Sequence, residues 1–175
     1  MLTFIGIAIV LVMTVLLLYA ATKPDTFRVQ RSIGINAPPE RIFQHVNDLT
    51  KWGAWSPWEK MDPAMKKTAG GAPQGKGALY EWDGNHQVGK GRMEILESIP
   101  PSKVLIKLDF LKPFEAHNRA EFTLAVQEGS TIVTWAMYGP QSYMAKVMGL
   151  LFNCEKMVGP QFETGLANLK MLAEK

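Results

Sequence analysis

Cysteine is nearly missing from this chain of 175 residues, where Cys154 stands alone. An internal disulfide is therefore excluded, and no Cys/His spacing suggests a zinc site. No G-x-S-x-G occurs, so the usual serine elbow is absent. Gly75-Lys76-Gly77 and Gly89-Lys90-Gly91 do not make the eight-residue phosphate-loop pattern. The first reads as loop, the second as a bulge or bend in a strand. An excess of one charge is also lacking: 19 basic residues against 16 acidic ones leave only +3. With no Lys/Arg cluster interleaved with aromatics, a nucleic-acid partner is not expected. Internal repeats and low-complexity tracts are missing too. What is present is a length that supports one sizeable core, with ten methionines and five tryptophans to fill it.

Charge is absent altogether from Leu2 to Ala21. About 20 helical residues span roughly 30 Å, the thickness of a hydrocarbon core. A cleaved signal peptide would begin with basic residues and carry a shorter apolar region, and neither feature is found. The expectation is an uncleaved single-pass anchor over residues 1–22 and a soluble domain over residues 23–175. Lys23, Arg28 and Arg31 follow the span and no basic residue precedes it. The positive-inside rule then places the soluble domain in the cytoplasm.

Phe27, Val29, Ile33 and Ile35 alternate with polar residues as a half-buried strand does. Asn36-Ala37-Pro38-Pro39-Glu40 is a helix start, and Ile42, Phe43 and Val46 mark that helix's inner face. A short helical turn is expected from Leu49 to Trp52. Trp52 to Trp58 puts three tryptophans into seven residues with Gly and Pro. Such a stretch forms no regular amphipathic element and is expected to cover a core edge or line an opening. Met61 to Gly77 reads as a loop.

Five further strands are expected, at about Ala78–Asp83, Gln87–Ser98, Lys103–Phe110, Glu115–Gln127 and Thr131–Tyr138. Short turns such as Asp83-Gly84-Asn85 and Gln127-Glu128-Gly129-Ser130 join them into an antiparallel meander. The chain then closes on a helical region. Val158, Phe162, Leu166, Leu169 and Leu172 form one stripe roughly 120° wide. Met144, Val147, Met148 and Leu151 form an earlier stripe, and Gly159-Pro160, which separates the two, is expected to kink or break the helix.

Acid/base chemistry needs a polar group within reach of substrate. His86, His117, Glu94, Asp109, Glu115 and Glu121 sit in strand contexts, mostly at outward positions. His45 fits a partly buried structural histidine, and Cys154 an inert thiol. No catalytic residue, metal ligand or cofactor is expected on these grounds.

The element order resembles the START-like, Bet v 1-like helix-grip superfamily, and more closely the bacterial SRPBCC or polyketide cyclase/dehydrase-like proteins. The residues that carry this are Ile35 to Phe43, Asp48-Leu49-Thr50-Lys51-Trp52 with Trp55-Ser56-Pro57-Trp58, Gly77 to Trp82, and Phe162 to Leu169. The resemblance covers nearly all of Phe27 to Leu172 and implies an α+β helix-grip fold. In it a curved antiparallel sheet, here of about six strands, wraps a long C-terminal helix. It also implies an apolar cavity between sheet and helix, with activities from carrying lipids and quinones to cyclising polyketides.

The candidate lining is Trp55, Tyr80, Trp82, Phe110, Trp135, Met137, Met144, Met148, Phe152, Phe162, Gly165 and Leu166. Gly165 lies in the helix stripe, where the missing side chain could leave room for a ligand. Aromatic and Met side chains around a concavity suit an apolar small molecule, and they suit a plain core equally. The expected function is membrane-tethered binding of a hydrophobic small molecule such as a lipid, fatty acid or isoprenoid quinone. The alternatives are a cyclase or dehydratase acting on an apolar substrate, or a protein-interaction module without a ligand.

Overall fold

The computed structural model describes residues 2–150 and 153–175. Helix α1 (Leu2–Ala21) comes first and buries almost none of its apolar surface. By length and composition it is long and apolar enough to cross a bilayer. Thr26–Ile35 then forms strand β1, followed by α2 (Pro39–Val46), a 3-10 turn (Leu49–Ala54) and the short α3 (Trp58–Met61). Pro39 opens α2 where its missing donor costs nothing, and Asp48 caps the 3-10 turn through the Thr50 amide.

Six strands follow: β2 (Lys66–Gly71), β3 (Ala78–Asp83), β4 (Lys90–Ile99), β5 (Lys103–Lys112), β6 (Ala116–Gln127) and β7 (Ser130–Pro140). All pairings are antiparallel, in the order β1-β7-β6-β5-β4-β3-β2. The sheet has seven strands because Lys66–Gly71, expected as loop, pairs along β3. None of its side chains is buried, so it carries no period-two signal. Backbone hydrogen bonds to β3 and the Lys67–Glu59 ion pair hold it, and its lysines suit an exposed edge.

Helices α4 (Tyr143–Gly149) and α5 (Cys154–Ala173) complete the chain. α5 lies against the concave face and buries Phe162, Leu166, Leu169 and Ala173. Of the kink or break expected at Gly159-Pro160, the break does not occur: the helix runs on through Pro160. Arg31, an inward-facing residue of β1, supplies the reason. Its guanidinium rests on Gly159, where a Cβ would come within 2.2 Å of Nη2. It donates to Glu155 and Glu163 at 2.6 Å each, fastening α5 to the sheet on both sides of the proline. The expected earlier stripe splits accordingly: α4 is a separate helix, and Leu151 and Phe152 lie outside the described residues.

Candidate functional site: an aromatic chamber under the last helix

Alternation along β6 and β7 sends Ala120, Phe122, Leu124, Val133, Trp135 and Met137 to the concave face, all buried. Trp135 sits at the centre. Phe162 of α5 stacks on its ring at 4.1 Å between centroids, with the planes 8° apart, and Phe122 stacks at 4.9 Å. Trp52, Trp55 and Trp58 meet Trp135 edge-on at 6.1, 5.3 and 5.6 Å. Stacked and edge-to-face pairs are the favourable arrangements for aromatic rings. The Trp52–Trp58 stretch thus fills the middle of the core and not its edge: Trp55 is completely buried and Trp52 nearly so.

Gly165 also has a role other than the expected one. A Cβ there would lie 2.8 Å from Cζ3 of Trp135 and 3.2 Å from Cδ of Pro57. Its missing side chain makes room for the chain's own indole.

The expected lining residues fall into three places. Trp55, Trp135, Phe162, Gly165 and Leu166 meet in the central cluster, with Met137 buried on the same face. Trp82 and Phe110 pair edge-to-face at 5.9 Å across β4, where Gly91 leaves space for the Trp82 ring. Tyr80 stands beside them in the register of the inner face. Met144 and Met148 are not in the wall at all. They project from α4, 69% and 42% exposed, on the side of the molecule where α4 packs against α1. Sequence reasoning left Trp52, Trp58 and Phe122 out of the set. Phe122 shared the parity of Ala120 and Leu124, so its place was readable.

Polar groups at the chamber are few. Trp52 Nε1 donates to the Val46 carbonyl at 3.1 Å and Trp55 Nε1 to that of His45 at 3.2 Å. Trp135 Nε1 is buried and, among the described residues, has no acceptor. Leaving a buried donor unpaired costs about 1–3 kcal/mol. At the rim, the Tyr80 hydroxyl donates to Glu59 Oε1 of α3 at 2.5 Å, and Lys67 of β2 pairs with the same carboxylate. Burial, then the Glu59 bond, push the Tyr80 phenol well above its ordinary pKa, so it stays a neutral donor. Through Glu59, α3 is tied to β2 and β3 while its Trp58 reaches the central rings. Two surface hollows of about 210 and 270 Å³ lie elsewhere, one beside Leu49, Gly70 and Leu79 and one beside Pro38, Val126 and Thr131. Neither opens onto Trp135.

On the convex face, Asp109 is buried although its strand parity points it outward. His117 Nδ1 at 2.8 Å, Arg92 Nε at 3.0 Å and Lys107 Nζ at 3.1 Å surround its carboxylate. Burial works to raise its pKa, but the hydrogen bonds from His117, Arg92 and Lys107 together prevail and hold it at about 2. The sheet separates this cluster from the chamber, and it reads as a structural ion network.

The model of the family described as polyketide cyclase / dehydrase and lipid transport matches residues 26–174. The chain belongs to this family. Solved structures share its fold. Protein CV1439 from Chromobacterium violaceum superposes with a TM-score of 0.60 at 17% identity, covering 87% of this chain and 99% of that one. Protein Ms6760 from Mycobacterium smegmatis gives 0.55 at 19% identity, over 87% and 91%. The di-domain ARO/CYC protein BexL gives 0.62 at 14% identity, over 90% of this chain and 53% of that one. At such identities the likeness concerns the fold alone. Among curated proteins no match was found.

Proposed function

We propose that this protein is a membrane-tethered binder of a hydrophobic small molecule bearing a hydrogen-bond-accepting oxygen, such as a fatty acid, a lipid or an isoprenoid quinone. The unpaired indole N–H of Trp135 carries the reading. It is a lone donor in an otherwise apolar wall, and one ligand oxygen would satisfy it while the rings hold the hydrocarbon part. The family's description as cyclase, dehydrase and lipid transport supports an apolar cargo. So does α1, which as an anchor would keep the domain at high effective concentration beside membrane-dissolved molecules. The basic residues Lys23, Arg28 and Arg31 favour the cytoplasmic side.

Entry requires the chamber to open, and α3 is the element to move. It is a single helical turn, its ring Trp58 is only partly buried, and Glu59 latches it to Tyr80 and Lys67. The test is a titration of the full chain in detergent micelles with oleate and with decylubiquinone, read by intrinsic tryptophan fluorescence. Saturable change with either probe, weakened in Trp135→Phe, is expected. A response that is unsaturable and identical in Trp135→Phe would overturn the reading.

A second reading, an enzyme acting on an apolar substrate, draws on the Tyr80–Glu59 pair, in which a neutral phenol could donate to a substrate carbonyl beside a carboxylate base. Turnover lost in Tyr80→Phe with probe binding retained would favour it.

A further inference from the structure

Four side chains at one end of the molecule are apolar or amphipathic and exposed: Tyr143 at 47%, Met144 at 69%, Met148 at 42% and Met157 at 62%. The first three belong to α4, whose start is fixed by Ser142 Oγ accepting from the Ala145 amide. At 100° per residue, Tyr143, Met144, Val147 and Met148 share one face about 140° wide. The only charged residue of α4 is turned away from it. Lys146 is 7% exposed and places Nζ 2.5 Å from the Asp25 carboxylate, just beyond α1. The Gln141 amide donates to the Asp25 carbonyl at 2.7 Å, so α4 is held at both ends of this contact to the segment leaving α1.

The position of this face relative to α1 identifies what covers it. The Tyr143 hydroxyl donates to the Leu17 carbonyl at 3.0 Å. Leu17 lies one turn before Ala21, so about 6 Å inside the end of the span. At the same level Lys23 Nζ bonds the Tyr19 hydroxyl at 2.8 Å and lies over its ring. Tyrosine and lysine at a helix end mark the boundary between hydrocarbon and headgroups. α4 is thus clamped beside α1 at boundary depth, with its methionines pointing to neither sheet nor α5.

We propose that α4 lies in the bilayer interface, with Met144 and Met148 covered by the phospholipids of the leaflet from which α1 emerges. A helix of two turns is too short to bind a membrane alone. Fastened to a spanning helix, it needs no affinity of its own beyond what its exposed methionines supply. The consequence is a fixed domain orientation: the start of α5, which leads to Val158 and Phe162 at the chamber, stands over the membrane. This inference rests on the reading of α1 as a membrane anchor.

The test uses the full chain in phosphatidylcholine vesicles, in a Cys154→Ser background. Single nitroxide labels go at Met148→Cys, at Leu11→Cys within α1 and at Val126→Cys on the exposed end of β6. Collision with oxygen, which concentrates in lipid, is compared with collision with a water-soluble nickel chelate. The Met148 and Leu11 labels are expected to respond as lipid-exposed and the Val126 label as water-exposed. Met144→Cys, one turn away, repeats the reading should the first variant misfold. Labels at 144 and 148 that behave like the one at 126, with the Leu11 label in lipid, would overturn this inference and leave the anchor standing. A water-exposed Leu11 label would overturn both.

Discussion

Asp109 shows how far a single residue can be read without its neighbours. The alternation of Val104, Ile106, Leu108 and Phe110 is visible in the sequence and puts Asp109 on the outer face. Its burial is not visible, because Arg92 and His117 arrive from β4 and β6 and their alignment depends on the register of three strands. Its folded pKa of about 2 lies well below the ordinary aspartate range. The ion network therefore contributes stability fully above about pH 4 and loses it as pH falls towards 2. Because Arg92, Lys107 and His117 are themselves half exposed, water screens the contribution, and about 1 kcal/mol is a fair size. Asp109→Asn should flatten the acid limb of a urea-midpoint series between pH 4 and 2. An unchanged limb would rule the network out as its cause. Gly165 gives a second case. Alanine would gain about 1 kcal/mol of helix propensity, but its methyl would press on a Trp135 ring held between Phe162 and Phe122. Overpacking costs about 1–3 kcal/mol, so Gly165→Ala should lower stability by about 1 kcal/mol in denaturant unfolding. A stabilised variant would mean that the chamber has slack.

At the level of elements, the strands with one buried face and the C-terminal helix stripe were legible because both follow a period. β2 and the Trp52–Trp58 stretch were not: β2 buries no side chain, and the tryptophans recur at every third residue, a spacing that belongs to neither a strand nor an α-helix, over a 3-10 turn, its cap and a single helical turn. Pro160 misled for another reason. A proline in mid-helix usually breaks it, and what holds α5 together here is Arg31, from a strand far away in sequence. Arg31→Ala should therefore raise amide exchange in the first two turns of α5 while leaving the Phe162–Ala173 portion protected. Uniform protection along α5 would show the clamp to be dispensable. For α3, Glu59→Gln removes the charged latch to Lys67 and weakens the bond to Tyr80. Exchange across Trp58–Met61 should rise with little change in global stability, because the latch is at the rim. No local rise would point to some other element as the door.

For the molecule as a whole, the helix-grip architecture and an apolar helix ahead of it were both readable from residue patterns and family motifs. The interior of the chamber was readable only in part. Which aromatic rings meet depends on chain crossings, so Trp82 and Phe110 pair with each other at the partly buried edge of the core, and Met144 and Met148 lie on the face beside α1. The sheet and α5 enclose a set of stacked rings with one unpaired indole donor among them, and the α3 turn is latched at the rim through Glu59. Native mass spectrometry of the full chain, released from membranes into mild detergent, tests whether the chamber binds an apolar molecule. One apolar molecule bound per chain is expected, with occupancy reduced in Trp135→Phe. A folded chain that stays at its bare mass, and takes up neither oleate nor quinone when these are offered, would contradict it.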